Sequence, residues 1–321
     1  MDSPIAIIIP NYNGRRLLAR YLPAVAAAGR EVGARVIIAD DASTDDGPAW
    51  VRENFPEVAV RAYPDNRGFA GNVNRAVRDT DSDYIVLLNS DVEPDPGFAR
   101  PLLERLRPAD VFAAVPVIRE AAGEIGFNRL RFRRGMLDFV RPAQRDLSRS
   151  PAHPAHAAYA CGAAMAFPRE KFLLLGGYDE IFSPYYGEDL DLSYRAWKRG
   201  WRIVFEPASR VFHQHSATIG ADKTEKMIRR IKTRQYLIFQ WKNLSDPDFI
   251  ARHLFFLPWR LLFYAAYPGR WPEGRGMIEA LKYLPAAWKA RSKFPSRLKD
   301  REALQRINSP PDAAPAAPEK T

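Results

Sequence analysis

Through its first 118 residues the chain alternates strictly between short β-rich runs and segments of helical periodicity. "IAIIIP" (5–10), "ARVIIADD" (34–41), "VAVRAYP" (58–64), "YIVLLNSD" (84–91) and "VFAAVPVI" (111–118) read as strands. Between them lie "GRRLLARYLPAVAAAG", "DDGPAWVRENF", "FAGNVNRAVRDT" and "DPGFARPLLERLR", each with helical spacing or a helix-start signature. Strand and helix in strict turn require crossover units, so the expected architecture is α/β: a doubly wound, mostly parallel sheet with helices on both faces.

In such a sheet, ligands bind outside the carboxyl ends of the strands. Those ends are polar or acidic here. Asn11, Tyr12 and Asn13 close the first strand, Asp40 and Asp41 the second, and Asn89, Ser90 and Asp91 the fourth, while Asp65 and Asn66 follow the third. Helix capping explains any one of them. Recurrence at four ends, in a chain of net charge +10, favours a cation that neutralises the cluster. Asp91 supplies a hard oxygen, which suits Mg²⁺ or Mn²⁺ better than zinc, with most of the ion's shell left to a diphosphate. The chain has neither the G-x-x-x-x-G-K-[ST] phosphate loop nor a G-x-G-x-x-G after its first strand, so a Walker-type site is excluded and a dinucleotide site is not expected.

The charge and a pI near 9.7 point to an anionic partner. The basic residues follow no nucleic-acid reading motif, and the acidic strand ends oppose that partner. One cysteine, Cys161, rules out a disulfide framework and reads as an inert buried thiol in a reducing compartment. No signal peptide is expected before "IAIIIP". "HLFFLPWRLLFYAAYPGRW" (253–271) holds Pro258 and Arg260, which makes it a poor membrane span.

Residues 119–156 are arginine-rich and break the alternation, as a long surface loop with a short hairpin would. His153, His156 and His215 read as loop or surface residues, and Trp197 and Trp201 as core. "GEDLDLSYRAWKRG" (187–200) is a helix with acids at its start and Lys198, Arg199 and Gly200 at its end. From 222 to 292 the pattern is helical, basic and aromatic. Two readings stand there: a helix in a bilayer interface drawn to anionic lipid, with Phe255, Phe256, Leu257 and Trp259 inserted, or a helical pair packed as core.

Taken together, "IIIPNYNG", "IIADDASTDDG", "DNRGFAGNVNRAV", "YIVLLNSDVEP", "CGAAMAFPREKFLLLGGYDEIFSPYYGEDLDLSYRAWKRGW" and "VFHQHSAT" resemble glycosyltransferase family 2. These are inverting sugar-nucleotide transferases of GT-A fold, and the rhamnosyltransferase-like branch is the nearest match. The resemblance implies a GT-A catalytic domain over 1–220, with a nucleotide-binding half (1–118) and an acceptor and catalytic half (119–220). A basic aromatic helical region (221–300) and a disordered tail (301–321) would follow. Carried over by position, Pro10, Tyr12, Asp41, Asn66, Arg67, Gly68 and Asn89 belong to the nucleotide site, with the Asp41 carboxylate accepting the base imide N–H. Asp91 and His213 belong to the metal site, with Thr218 nearby. Asn89 departs from the family's Asp-x-Asp, which removes one carboxylate.

The resemblance further assigns Asp189 as general base and Glu188 to the sugar or acceptor, with Asp191 structural. The implied reaction moves a hexose, read as rhamnose from its thymidine diphosphate, to a hydroxyl of a glycan or lipid-linked acceptor in cell-surface polysaccharide synthesis. The expected location is the cytoplasm, with peripheral contact at the inner face of the membrane. The alternatives are a non-catalytic sugar-nucleotide-binding protein, which Asn89 favours, and a nucleotidyltransferase on a similar scaffold.

Overall fold

The computed structural model describes residues 4–121, 123–125, 127–140, 151–214, 224–291, 293 and 296–310. The N-terminal segment runs β1 (Ile5–Asn11), α1 (Arg15–Val32), β2 (Arg35–Asp40), α2 (Gly47–Asn54), β3 (Ala59–Ala62), α3 (Gly68–Arg78) and β4 (Tyr84–Leu88). All seven residues of β1 are buried. Ala6 and Ile8 face one hydrophobic core while Ile7 and Ile9 face the other, so helices cover both faces of the sheet. β4, β1, β2 and β3 lie side by side in parallel, as the alternation requires.

The next segment runs β5 (Val92–Pro94), α4 (Ala99–Arg105), β6 (Val111–Glu120), β7 (Gly123–Ile125), β8 (Arg129–Arg133), β9 (Met136–Val140), β10 (Ala155–His156), β11 (Ala164–Pro168), α5 (Arg169–Leu174), α6 (Glu188–Lys198) and β12 (Arg202–His213). Here the sheet becomes mixed. β11 lies antiparallel between β4 and β6, and β12 pairs in parallel with β6. The far end of β12 turns to pair antiparallel with β5, setting His213 opposite Val92. The hairpin expected within 119–156 is β8–β9. It is no mere surface loop, because Leu130, Met136 and Leu137 are buried. Residues 141–150 lie outside the described residues.

The helical region comprises α7 (Glu225–Asn243), α8 (Pro247–Ala266), α9 (Trp271–Ala280), α10 (Leu284–Arg291) and α11 (Asp300–Asn308). α7 is fastened to α6 by a buried polar cluster. The Asp191 carboxylate accepts from Arg195 Nε, Lys242 Nζ and Asn243 Nδ2, each at 2.8 Å. Burial alone raises such a carboxyl, yet the two cations hold Asp191 below its ordinary range. A second buried carboxylate, Asp300, accepts from Lys198 Nζ at 2.9 Å and from Tyr194 Oη at 2.8 Å.

α11 corrects the expected tail boundary at 301. Ala303 and Ile307, one helical turn apart, bury their side chains, and Asp300 and Glu302 stand in the first turn. Only 311–321 of that segment lie outside the described residues. Trp197 is core, and Trp201 is partly buried and stacks on Phe112. His156 is buried against Trp197, contrary to the surface reading, whereas His153 is exposed. His215 and Thr218 lie outside the described residues.

Among the described residues, no helix is long and apolar enough to cross a membrane. Twelve of the fifteen exposed large apolar side chains among the described residues nevertheless lie between Leu254 and Trp288, so exposure is concentrated on α8 to α10 rather than scattered.

Candidate active site

A cavity of about 840 Å³ opens along the carboxyl ends of β1, β2 and β4 and reaches the helical region. The polar strand ends enter it because the parallel strands all finish on the same side. Pro10, Tyr12, Asp41, Asn66, Gly68, Asn89, Asp91, Glu188, Asp189 and His213 all line it. Arg67 does not: its guanidinium turns to Asp65 at 2.7 Å, and its backbone N–H reaches the Asp41 carboxylate at 3.0 Å. Asp41 is also ion-paired with Arg75 at 2.6 Å. Burial nonetheless raises the Asp41 carboxyl above its ordinary range, against the pull of the Arg67 N–H and Arg75. Its neighbour Asp40 is absorbed locally, accepting from Asn11 Nδ2 at 2.8 Å and from the Ser43 hydroxyl at 2.6 Å.

Asp91 and His213 meet through the β5–β12 pairing, which joins segments over a hundred residues apart. Gln214 N–H donates to Asp91 O at 3.0 Å, fixing the register. His213 Nε2 lies 3.3 Å from Asp91 Oδ1, and Nδ1 lies 3.2 Å from Glu120 Oε1. Burial disfavours the charged imidazole, but Asp91 and Glu120 outweigh it and raise its pKa to about 9. The arrangement places one carboxylate beside each ring nitrogen, as when a second carboxylate orients a ligating histidine.

The residues fit a divalent cation. Asn89 Oδ1 is buried without a hydrogen-bond donor, and the buried Asp91 Oδ1 has His213 Nε2 beside it at 3.3 Å, an undersatisfied pair of oxygens that an ion relieves. Among the described residues, no three histidine, cysteine or acidic side chains converge as a metal cage. Asp91 and His213 could supply two ligands, the histidine once the ion displaces a ring proton, and most of a coordination shell would be left for a diphosphate and water.

Glu188 and Asp189 open α6 at the other wall. The backbone bends sharply just before them, with φ of 72° at Tyr186 and 98° at Gly187. Glycine suits position 187, because a Cβ there would stand 2.9 Å from the Phe182 ring. Glu188 is buried and its Oε2 has no hydrogen-bond donor. Burial, then the charge of Asp189, raises its pKa to about 8, which favours the neutral carboxyl. Asp189 is half-buried, with its carboxylate held by the N–H groups of Leu190 at 2.8 Å and Gly162 at 3.3 Å. The two adjacent acids thus differ in surroundings: Glu188 is buried with an oxygen that lacks a donor, whereas Asp189 accepts from two backbone N–H groups.

Several lining residues went unread in the sequence. Cys161 is half-buried in the cavity wall rather than sequestered in the core. Glu120, Tyr159, Lys232, Arg260 and Tyr264 also line it. Only the end of β6 carried a signal for Glu120, as a carboxylate two residues past a long buried apolar run.

Comparisons with known proteins bear on the family and the fold. The family model described as Glycosyl transferase family 2 matches residues 6–173. A relative named N-acetylglucosaminyl-diphospho-decaprenol L-rhamnosyltransferase, from Mycobacterium tuberculosis, is 25% identical over 258 residues, covering 73% of this chain and 83% of its own. The structure resembles that of GalNAc-T7 with UDP, GalNAc and Mn²⁺ at a TM-score of 0.61 and 18% identity, over 92% of this chain and 59% of that one. It also resembles a mannosyltransferase from Pyrobaculum calidifontis in complex with GDP-Man and Mn²⁺, at a TM-score of 0.55 and 19% identity, over 96% and 87%. The fold is therefore GT-A, and with a family match across more than half its length, this chain belongs to glycosyl transferase family 2.

Proposed function

We propose that this family 2 glycosyltransferase moves a sugar, with inversion, from a nucleoside diphosphate to a hydroxyl of a lipid-linked acceptor in cell-surface polysaccharide synthesis. The observation that carries the reading is the shared cavity, with Asp91 and His213 at one wall and Asp189 beside a neutral Glu188 at another. Asp189 takes the acceptor hydroxyl proton as that oxygen bonds to the anomeric carbon. The bond from that carbon to the diphosphate oxygen breaks, and the nucleoside diphosphate leaves with the electron pair. Glu188, protonated, donates a hydrogen bond to the sugar or acceptor. Asp91 and His213 hold Mg²⁺ or Mn²⁺, which when bound neutralises charge on the departing diphosphate. Tyr12, Asp41, Asn66 and Gly68 surround the base and ribose.

The named activity of the mycobacterial relative supports thymidine-diphosphate rhamnose as donor and a prenyl-diphosphate sugar as acceptor. The exposed apolar face from Leu254 to Trp288, with the chain's net charge of +10, supports peripheral contact with an anionic membrane. The test is a panel of sugar nucleotides with Mn²⁺, the product's anomeric configuration being read by NMR. Transfer with retention removes the single-displacement reading. Chelation, or Asp91→Ala, abolishes transfer while leaving the thermal melting temperature unchanged, and undiminished transfer removes the metal assignment. Co-sedimentation with anionic vesicles, weakened by high salt, is expected for the membrane contact. Indifference to both anionic and neutral vesicles at low salt removes it.

A further inference from the structure

Tyr178 stands in the turn between α5 and α6 and buries its whole side chain, at 1% exposure. Its backbone is latched to α3 twice. The Tyr178 N–H donates to Asn74 Oδ1 at 2.8 Å, and Asn74 Nδ2 donates to the Tyr178 carbonyl at 2.9 Å. The ring meets Phe172 edge-on and Phe69 at a tilt, with centres 5.5 and 5.7 Å apart, and Phe69 itself lines the cavity. Latch and packing together fix where the ring points. At its tip the hydroxyl has no hydrogen-bond partner. That state is unfavourable, and phenylalanine would fill the same space without the penalty.

The hydroxyl ends against the residue that holds the base. A Cβ on Gly162 would stand 3.6 Å from Tyr178 Oη, and the N–H of Gly162 donates to Asp189 Oδ2 at 3.3 Å. Phenol and carboxylate therefore share one neighbour, a backbone unit that carries no side chain. Burial first, then the charges of Asp189, Glu188 and Cys161, raise the phenol well above its ordinary pKa, so it keeps its proton and remains a donor. The other charges of the packed elements have partners of their own. Asp179 accepts from Lys242 at 2.6 Å, Arg75 of α3 pairs with Asp41 at 2.6 Å, and Arg195 of α6 donates to Asp191 and to the carbonyls of Leu175 and Gly177.

We infer that Tyr178 is a positioning residue for the base, its hydroxyl donating to the Asp189 carboxylate through one ordered water beneath Gly162. The inference rests on the base role proposed for Asp189 and adds the group that supports it. Asp189 has a second acid beside it, whose charge disfavours its ionisation, yet a general base must be ionised to accept a proton. Bridging waters are nearly as good as direct hydrogen bonds. A donor reaching Asp189 from beneath Gly162 stabilises the charged form and leaves the cavity side of the carboxylate to the acceptor hydroxyl. A buried hydroxyl that costs stability is then retained for what it does to the site.

The test is Tyr178→Phe, read by thermal melting and by the pH profile of kcat/KM. The assay uses Mn²⁺, a prenyl-diphosphate N-acetylglucosamine and the sugar nucleotide that supports most transfer in the panel above. The variant should melt no lower than wild type, because the unpartnered hydroxyl is gone. Its acid limb should move up by about one pH unit, with kcat/KM below that limb falling about tenfold. An acid limb that stays in place overturns the inference, and a lower melting temperature beside it would make the hydroxyl part of the fold. Displacement of the alkaline limb alone would give the hydroxyl to Glu188 and overturn it as well. Asp189→Asn separates this inference from the reading beneath it. If the acid limb survives in Asp189→Asn, the base role fails and the role of Tyr178 with it. If the limb disappears there yet is unmoved in Tyr178→Phe, only the role of Tyr178 fails.

Discussion

On one side of α6, Asp191 is buried and meets Arg195, Lys242 and Asn243, so its carboxylate is matched in charge and in hydrogen bonds. On the cavity side of the same helix, Glu188 is almost as buried but keeps an oxygen without a donor, beside another acid. Both sites take a carboxyl out of water, a transfer that costs several kcal/mol for an ionised group. At Asp191 the cost is offset by cations from α6 and α7, and the product is a buried polar joint between those two helices. At Glu188 it is not offset, and burial beside Asp189 raises the carboxyl's pKa to about 8. A saturated acid holds the structure, whereas an unsaturated one in a cavity is available to a substrate. The same contrast separates Asp40, absorbed by Asn11 and Ser43, from Asp91, which lines the cavity with only His213 beside its Oδ1, at 3.3 Å.

The sharpest way to break the comparison is Asp191→Ala. Lys242 keeps Asp179, but Arg195 loses its carboxylate and the α6–α7 joint loses its anion. Removing one member of a buried ion cluster costs about 3–5 kcal/mol, read as a fall in the urea unfolding midpoint. If the variant unfolds like wild type yet is inactive, Asp191 belongs with the catalytic acids and the division fails. The next effect is in rate. Asp189→Asn keeps shape but cannot accept a proton, so kcat should fall at least about a hundredfold with donor affinity and melting temperature little changed. Loss of activity in Glu188→Gln with retention in Asp189→Asn would exchange the two roles.

Much of this was legible in the sequence because the relevant physics is local. Alternating apolar runs specify parallel strands, and strand ends collect at one edge whatever the order of the strands, so Asp41 and Asp91 could be placed together from sequence. The insertion of β11 between β4 and β6, and the turn of β12 onto β5, depend on pairings between distant segments that no local pattern encodes. Glu120 was missed for that reason, since it reaches the site only because His213 does. Lys232 and Arg260 lie in helices whose apolar residues occur on nearly every face, so periodicity could not say which cations turn inward. α11 is a different kind of miss. Its Ala303–Ile307 spacing was present and the proline- and alanine-rich composition beyond it drew the boundary too early.

The smallest effect sharpens the comparison most, because the two acids should answer pH with opposite signs. The pKa of Asp191 is held below its unfolded value, so its contribution is fully present above that value and is lost as pH falls through the folded one. Glu188 is raised from 4.5 to about 8, so the folded state binds its proton more tightly than the unfolded chain. Its contribution is greatest below pH 4.5, declines as pH rises and is gone above about 8. Glu188→Gln stays neutral throughout and should escape that decline. Thermal melting of the variant relative to wild type should therefore improve steadily between pH 5 and 8 and level off above, a difference of a few degrees. Transfer should follow the same group: if neutral Glu188 donates to the substrate, wild-type kcat falls on the alkaline side with an apparent pKa near 8, and the Gln variant loses that limb while remaining active at pH 7. A melting difference that is flat with pH would mean that Glu188 ionises freely, in which case the contrast between the two sides of α6 is one of position and not of protonation.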